Sequence, residues 1–168
     1  SKIAAAMTSR TRAVVTISPN NPTGAVYSRQ MLTAINTLCY ERGVYHISDE
    51  AYEHFTYAGA EHFSPASVVG GQDHTIGLFS LSKGFGFASW RIGYMVAPAG
   101  LTAPIKKIQD TNLICPPVIS QHAALAAFEA GRAYCEPHIK ALADVREMTL
   151  DLLGELGDKI VVPPANGA

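Results

Sequence analysis

Short apolar runs recur along the chain, AVVTIS at 13–18, VYHIS at 44–48, TIGLFSL at 75–81 and RIGYMVA at 91–97, and the first three end in clusters of polar and turn-forming residues. Runs of this length rich in β-branched and aromatic residues favour strands. Between the first two, Met31, Leu32, Ile35, Leu38 and Cys39 recur at helical spacing behind a Ser28 N-cap and stop at Gly43. Strand, helix and strand in alternation is a βαβ pattern, which restricts the chain to an α/β fold with a mostly parallel sheet. Strands so nearly continuous in apolar residues are predicted to be buried on both faces.

Beyond Pro98 and Gly100 the texture is helical. Helices are predicted over 101–113 and 119–130, separated by Pro116 and Pro117, with the second closing at Gly131. A longer helix runs from about 135 to 156, with Pro137 in its first turn and Ile139, Leu142, Val145, Met148, Leu152 and Leu156 in phase. KIVV at 159–162 predicts a last strand, and 56–74, containing Gly59, Pro65, Gly70 and Gly71, predicts a surface excursion with room for one short helix. The ending, PPANGA, has no capping element and reads as a passage into a longer chain.

With 168 residues, 48% apolar and 16% charged, the chain can build one sizeable core. A formal charge of −1 and the lack of any long like-charge run argue against nucleic acid and membrane surfaces as partners. The three cysteines, Cys39, Cys115 and Cys135, lack the spacing of a disulfide framework or a zinc site and suit a reducing cytosol. SKIAAAMTSRTR at the start is not a cleavable apolar leader, and no apolar segment has the length of a membrane span, so a soluble, cytoplasmic chain is expected.

Open parallel sheets bind ligands beyond the carboxyl ends of their strands. Here those ends read SPNNPTG, SDEAY and SLSKGFG. SLSKGFG is not a phosphate-binding P-loop, since Ser82 stands in place of the second glycine and Gly84 follows the lysine. GFGFAS lacks the third glycine of a dinucleotide fingerprint and precedes a strand. No G-x-S-x-G or H-E-x-x-H occurs, and the six histidines have no metal-ligand spacing. A lone lysine is most often a solvated charge, and a strand-end aspartate most often a cap. Together, though, a lysine amine, a carboxylate from a second strand and an arginine fork among serines and glycines can hold the two ends of one phosphate-bearing ligand. Leaving so many polar groups without a partner would cost several kcal/mol.

NPTG at 21–24, SDEAY at 48–52, SLSK at 80–83 and WRIGY at 90–94, in that order and at those intervals, resemble the class I/II aminotransferases, fold-type I pyridoxal-phosphate enzymes similar to aspartate aminotransferase. The likeness covers about residues 13 to 167. It implies a three-layer αβα large domain with a mostly parallel sheet, present in part, and the beginning of a small C-terminal α/β domain. Residues 1–112 would belong to the cofactor-binding domain, 113–134 to its last helix and the transition, and 135–168 to the interdomain helix and the start of the small domain.

The resemblance also implies roles. Lys83 would bind the aldehyde of pyridoxal 5'-phosphate and move the proton at the substrate Cα, and Asp49 would pair with the pyridinium nitrogen. Asn21 and Tyr52 would hydrogen-bond the phenolic oxygen, while Ser80 and Arg91 hold the phosphate with Ser82 as a further candidate. The catalytic set would be Lys83, Asp49 and Tyr52; Arg91 would have a ligand for its partner. Ser89 departs from the glycine common before the tryptophan of the last motif. The implied function is amino-group transfer between an L-amino acid and a 2-oxo acid by a homodimer. Related lyases, a cyclopropane-carboxylate synthase and an aminotransferase-like regulatory sensor share the scaffold. The aromatic ring-stacking residue and the arginine that grips the substrate carboxylate lie outside these residues, so the fragment alone is expected to be inactive, and the amino donor is not specified.

Overall fold

The computed structural model describes residues 1–168. Helix α1 (Lys2–Ala6) precedes β1 (Ala13–Ile17), α2 (Arg29–Glu41) and β2 (Tyr45–Asp49). Two 3₁₀ turns, Pro65–Ser67 and Gly71–Asp73, occupy the excursion before β3 (Thr75–Ser80), the short α3 (Leu81–Gly84) and β4 (Gly93–Val96). Helices α4 (Thr102–Asn112), α5 (Val118–Ala130) and α6 (Arg132–Gly154) follow. The sheet order is β1-β2-β3-β4, with the first two pairings parallel and the last antiparallel. This is the α/β, mostly parallel architecture expected from the alternating pattern.

The crossover helix α2 starts where Ser28 Oγ accepts the Met31 N–H at 3.2 Å, satisfying one of its free N-terminal donors. It stops at Gly43, which adopts φ +61. Its inward side buries Leu32, Ile35, Asn36 and Cys39, and Ile3, Met7 and Val14 close over the cluster of Ile35, Cys39 and Val44.

Strand alternation sends His46, Ser48 and Glu50 to the α2 side, where all three are buried, and Ile47 and Asp49 to the other. The α2 side is therefore partly polar. Asn36 Nδ2 donates to Thr75 Oγ1 at 2.7 Å and lies 3.1 Å from His46 Nδ1, while His46 Nε2 lies 2.8 Å from Thr16 Oγ1. A neutral imidazole satisfies every group, accepting from Asn36 and donating to Thr16.

Burial, and then the neighbouring His74, lowers the His46 pKa from 6.5 to about 4. In acid the unfolded chain takes up this proton first, so the contribution is complete above pH 6.5 and drains as pH falls toward 4. The loss across that window is about 3 kcal/mol. Thermal unfolding of the complete protein at several pH values should show it. The fall in Tm between neutral pH and pH 4.5 should be steeper in the wild type than in His46→Gln, and equal slopes would remove His46 from the acid response.

The fold departs from the sequence expectations in three places. Residues 159–162 form no strand: the 3₁₀ turn Gly157–Lys159 leads into chain where Val161 is 92% exposed, and an extended segment with no neighbour has no ladder to join. Helix α6 opens at Arg132 because Gly131, at φ 62, closes α5 and starts α6, so Pro137 lies inside the helix instead of in its first turn. Burial on both faces fails at the edge strands, where Val15 of β1 is 61% exposed and all of β4 is exposed.

Candidate active site

Because β1, β2 and β3 are parallel, their three polar sequels meet at one edge of the sheet. The register sets Ile17 beside Asp49 and Asp49 beside Leu78. In-register neighbours share a face and residues two apart on a strand do too, so Asp49 and Ser80 leave the sheet on the same side.

The turn after β1 is tied by Asn20 Oδ1, which accepts from Thr23 Oγ1 at 2.6 Å. Asn21 Nδ2 is thereby held where it donates to the Tyr52 hydroxyl at 2.9 Å. Past β2, Asp49 Oδ1 accepts the Ala51 N–H at 3.1 Å and so fixes the turn that carries Tyr52.

Helix α3 explains where the lysine sits. Leu81 and Phe85 are buried in a cluster with Ala124, Ala127 and Cys135, and these two anchors, four apart, leave Lys83 between them facing outward. Ser80 Oγ caps the helix by accepting the Ser82 N–H at 3.1 Å. Gly84 is required next: a Cβ there would lie 2.6 Å from His54 Cδ2. Lys83 Nζ stands over the Tyr52 ring, 5.4 Å from its centroid.

Asn21, Tyr52 and Lys83 thus form one contact cluster contributed by three strand-end loops, with Asp49 and Ser80 on the sheet beside it. Lys83 and Ser82 border a groove of about 690 Å³ whose far wall includes Leu142, Val145 and Leu153 of α6. Lys83 is an exposed residue, and its side chain borders both this groove and a smaller hollow lined by Phe55, Phe85 and Ile139.

Arg91 is exposed, and its Nη1 donates to the Ala88 carbonyl at 2.8 Å. It makes no hydrogen bond to Ser80 or Ser82 here. Its backbone, however, adopts φ 51, a left-handed conformation that costs a side-chain-bearing residue about 1–2 kcal/mol. Strain of this kind collects at ligand-gripping positions.

Two groups of residues went unremarked in the sequence. Glu50 is fully buried; its Oε1 accepts from Ser64 Oγ at 2.9 Å and its Oε2 lies 2.9 Å from His62 Nε2. The signal was present, since His46, Ser48 and Glu50 make a polar row at every second position of a strand. Arg146 of α6 is the other: its Nε donates to the Ala165 carbonyl at 2.9 Å and its Nη2 to Asn166 Oδ1 at 3.2 Å. The tail so held passes its Asn166 and Gly167 N–H groups to the Gly24 carbonyl, at 2.8 and 2.9 Å. Gly24 fits because a Cβ there would come within 2.6 Å of Ala165 Cβ.

The family model described as aminotransferase class I and II matches residues 1–168. Among curated proteins, the chain is 39% identical over 165 residues to the aspartate/prephenate aminotransferase of Thermus thermophilus, which covers 96% of this chain and 42% of that protein. It is 37% identical over 154 residues to an arginine–pyruvate transaminase of Pseudomonas aeruginosa, covering 92% of this chain and 39% of that one. Among solved structures, aspartate aminotransferase from Thermus thermophilus with maleate superposes with a TM-score of 0.90 at 38% identity, over 99% of this chain and 43% of the other. An aromatic aminotransferase from Pyrococcus horikoshii gives 0.91 at 36% identity, covering 99% and 45%. The chain therefore spans about two-fifths of the length of the curated relatives it matches, 42% in the first case.

Proposed function

Because this chain belongs to the class I and II aminotransferase family, we propose that the complete protein is a pyridoxal 5'-phosphate-dependent transaminase moving an amino group between an L-amino acid and a 2-oxo acid. One observation carries the reading at the site: the Lys83 amine stands 5.4 Å from the centre of the Tyr52 ring, whose hydroxyl is held by Asn21 at 2.9 Å. Three loops from separate strands converge there.

The donor set suits this cofactor. It offers an amine for an aldehyde, a carboxyl group for a ring nitrogen, an amide and a phenol for a phenolic oxygen, and hydroxyls with a guanidinium for a phosphate. When bound, pyridoxal phosphate supplies the aldehyde that takes up the amine and a ring that accepts electrons from the substrate carbon. Lys83 would bind it through Nζ and, once the substrate amine has displaced it, move the proton that leaves Cα. Asp49 would hold the proton on the ring nitrogen. Asn21 and Tyr52 would orient the phenolic oxygen, and Ser80, Ser82 and Arg91 would hold the phosphate, with Arg91 turning from Ala88 to do so.

The same proposal assigns 1–112 to the cofactor-binding domain, 113–134 to its last helix and the transition, and 135–168 to the interdomain helix and the start of the small domain. It includes a cytoplasmic homodimer; no helix is long and apolar enough to cross a membrane. Incubating the complete protein with cofactor, an L-amino acid and a 2-oxo acid should exchange the amino group between them. Release of ammonia or ring closure without exchange would overturn the proposal in favour of the lyase or synthase chemistries. The 168 residues alone should show no turnover.

A further inference from the structure

Between Asp49 and Tyr52 one side chain is fully buried, and it belongs to Glu50, the only residue of the four with no solvent exposure. A carboxyl group taken wholly from water is tolerated only when its oxygens are engaged. Here Oε1 accepts from Ser64 Oγ at 2.9 Å, while Oε2 lies 2.9 Å from His62 Nε2 without the alignment of a hydrogen bond, so the contact there is one of charge and packing. The two partners are two residues apart, and Phe63 between them turns the other way, buried and capped by the Arg29 guanidinium at 4.3 Å from its ring centre. The HFS segment is thus gripped from two sides, by α2 through Phe63 and by the end of β2 through Glu50.

The backbone at Glu50 is fixed as well, its N–H donating to the Leu78 carbonyl at 2.8 Å. Its carbonyl accepts the Glu53 N–H at 2.9 Å, closing the turn that presents Tyr52.

Resting on the transaminase reading, we propose that Glu50 is a positioning residue: by holding His62 and Ser64 it sets the directions in which Asp49 and Tyr52 meet the cofactor. Asp49 points from the opposite face of the same strand end, so a rotation that let Glu50 seek water would swing Asp49 with it. Glu50 itself touches neither cofactor nor substrate; it acts through the backbone it anchors.

The test uses the complete protein and pyridoxal 5'-phosphate, with two readouts besides activity: equilibrium binding of the cofactor, and the visible circular dichroism per bound cofactor, which reports its orientation. Glu50→Ala should weaken binding by about tenfold, at the low end of what losing an outer support costs, and should change the visible dichroism. Glu50→Gln, which still accepts from Ser64, should stay within about threefold of wild type. Leu32→Ala, in the α2 core away from the site, lowers Tm by a structural route and should leave both readouts unchanged. Should Glu50→Ala fail to fold, the pair His62→Ala and Ser64→Ala removes the grip from the loop side and is expected to give the same two changes. A folded Glu50→Ala or loop double variant with wild-type binding and dichroism would overturn the inference. A wild-type protein that binds no pyridoxal phosphate would instead overturn the transaminase reading beneath it.

Discussion

Replacing Lys83 with alanine in the complete protein should lower amino-group exchange by about four orders of magnitude, the scale expected when one side chain serves as both nucleophile and proton carrier. The fold should survive. Lys83 is exposed, takes part in no ion pair, and contributes only its stance over the Tyr52 ring, worth about 0.5–1 kcal/mol at an exposed site. Its neighbours Leu81 and Phe85 anchor α3 without it. Tm should accordingly shift by no more than a few degrees, so that a loss of rate reads as chemistry. Lys83→Arg sharpens the test, because arginine keeps a cation over the ring yet cannot offer a neutral amine. If positive charge were the requirement, Lys83→Arg would retain activity; here it should be as inactive as the alanine variant. Borohydride reduction followed by peptide mass analysis should find the cofactor on Lys83 in the wild type and nowhere in the variants. Turnover within tenfold of wild type in either variant would end the assignment.

The parts legible in the sequence are those decided locally. Strand β1 and helix α2 follow from a β-branched run, a Ser28 cap and a glycine stop, each acting within a few residues. The strand-end loops could be located because a parallel sheet collects its carboxyl ends, and Asn21, Tyr52 and Lys83 do meet there. What stayed hidden depends on partners distant in the chain. Residues 159–162 have strand composition but no strand beside them, so they remain outside the sheet. Glu50 finds Ser64 and His62 across a loop, and Arg146 finds a tail some twenty residues on. The exposure of Lys83 and the hydrogen bond of Arg91 to Ala88 are likewise settled by what surrounds them in the folded chain.

Asp49 allows the role of charge to be separated from the role of shape. Its Oδ1 accepts the Ala51 N–H at 3.1 Å, so a plain truncation would lose a turn as well as a negative charge. Asparagine keeps an oxygen in that place, and the strand position is fixed by pairing with Ile17 on one side and Leu78 on the other. Asp49→Asn should therefore fold like the wild type and bind the Lys83-linked cofactor, while turnover falls by about 10³-fold, within the range for removing one preorganised electrostatic group. The loss should appear in kcat with little change in KM, since the charge acts on the developing carbanion more than on the bound substrate. Asp49→Ala should add a drop in Tm from the lost turn and slow the reaction no further than asparagine does. If Asp49→Asn turned over normally and only Asp49→Ala were impaired, the carboxyl group would be a turn former and the ring nitrogen would need another partner.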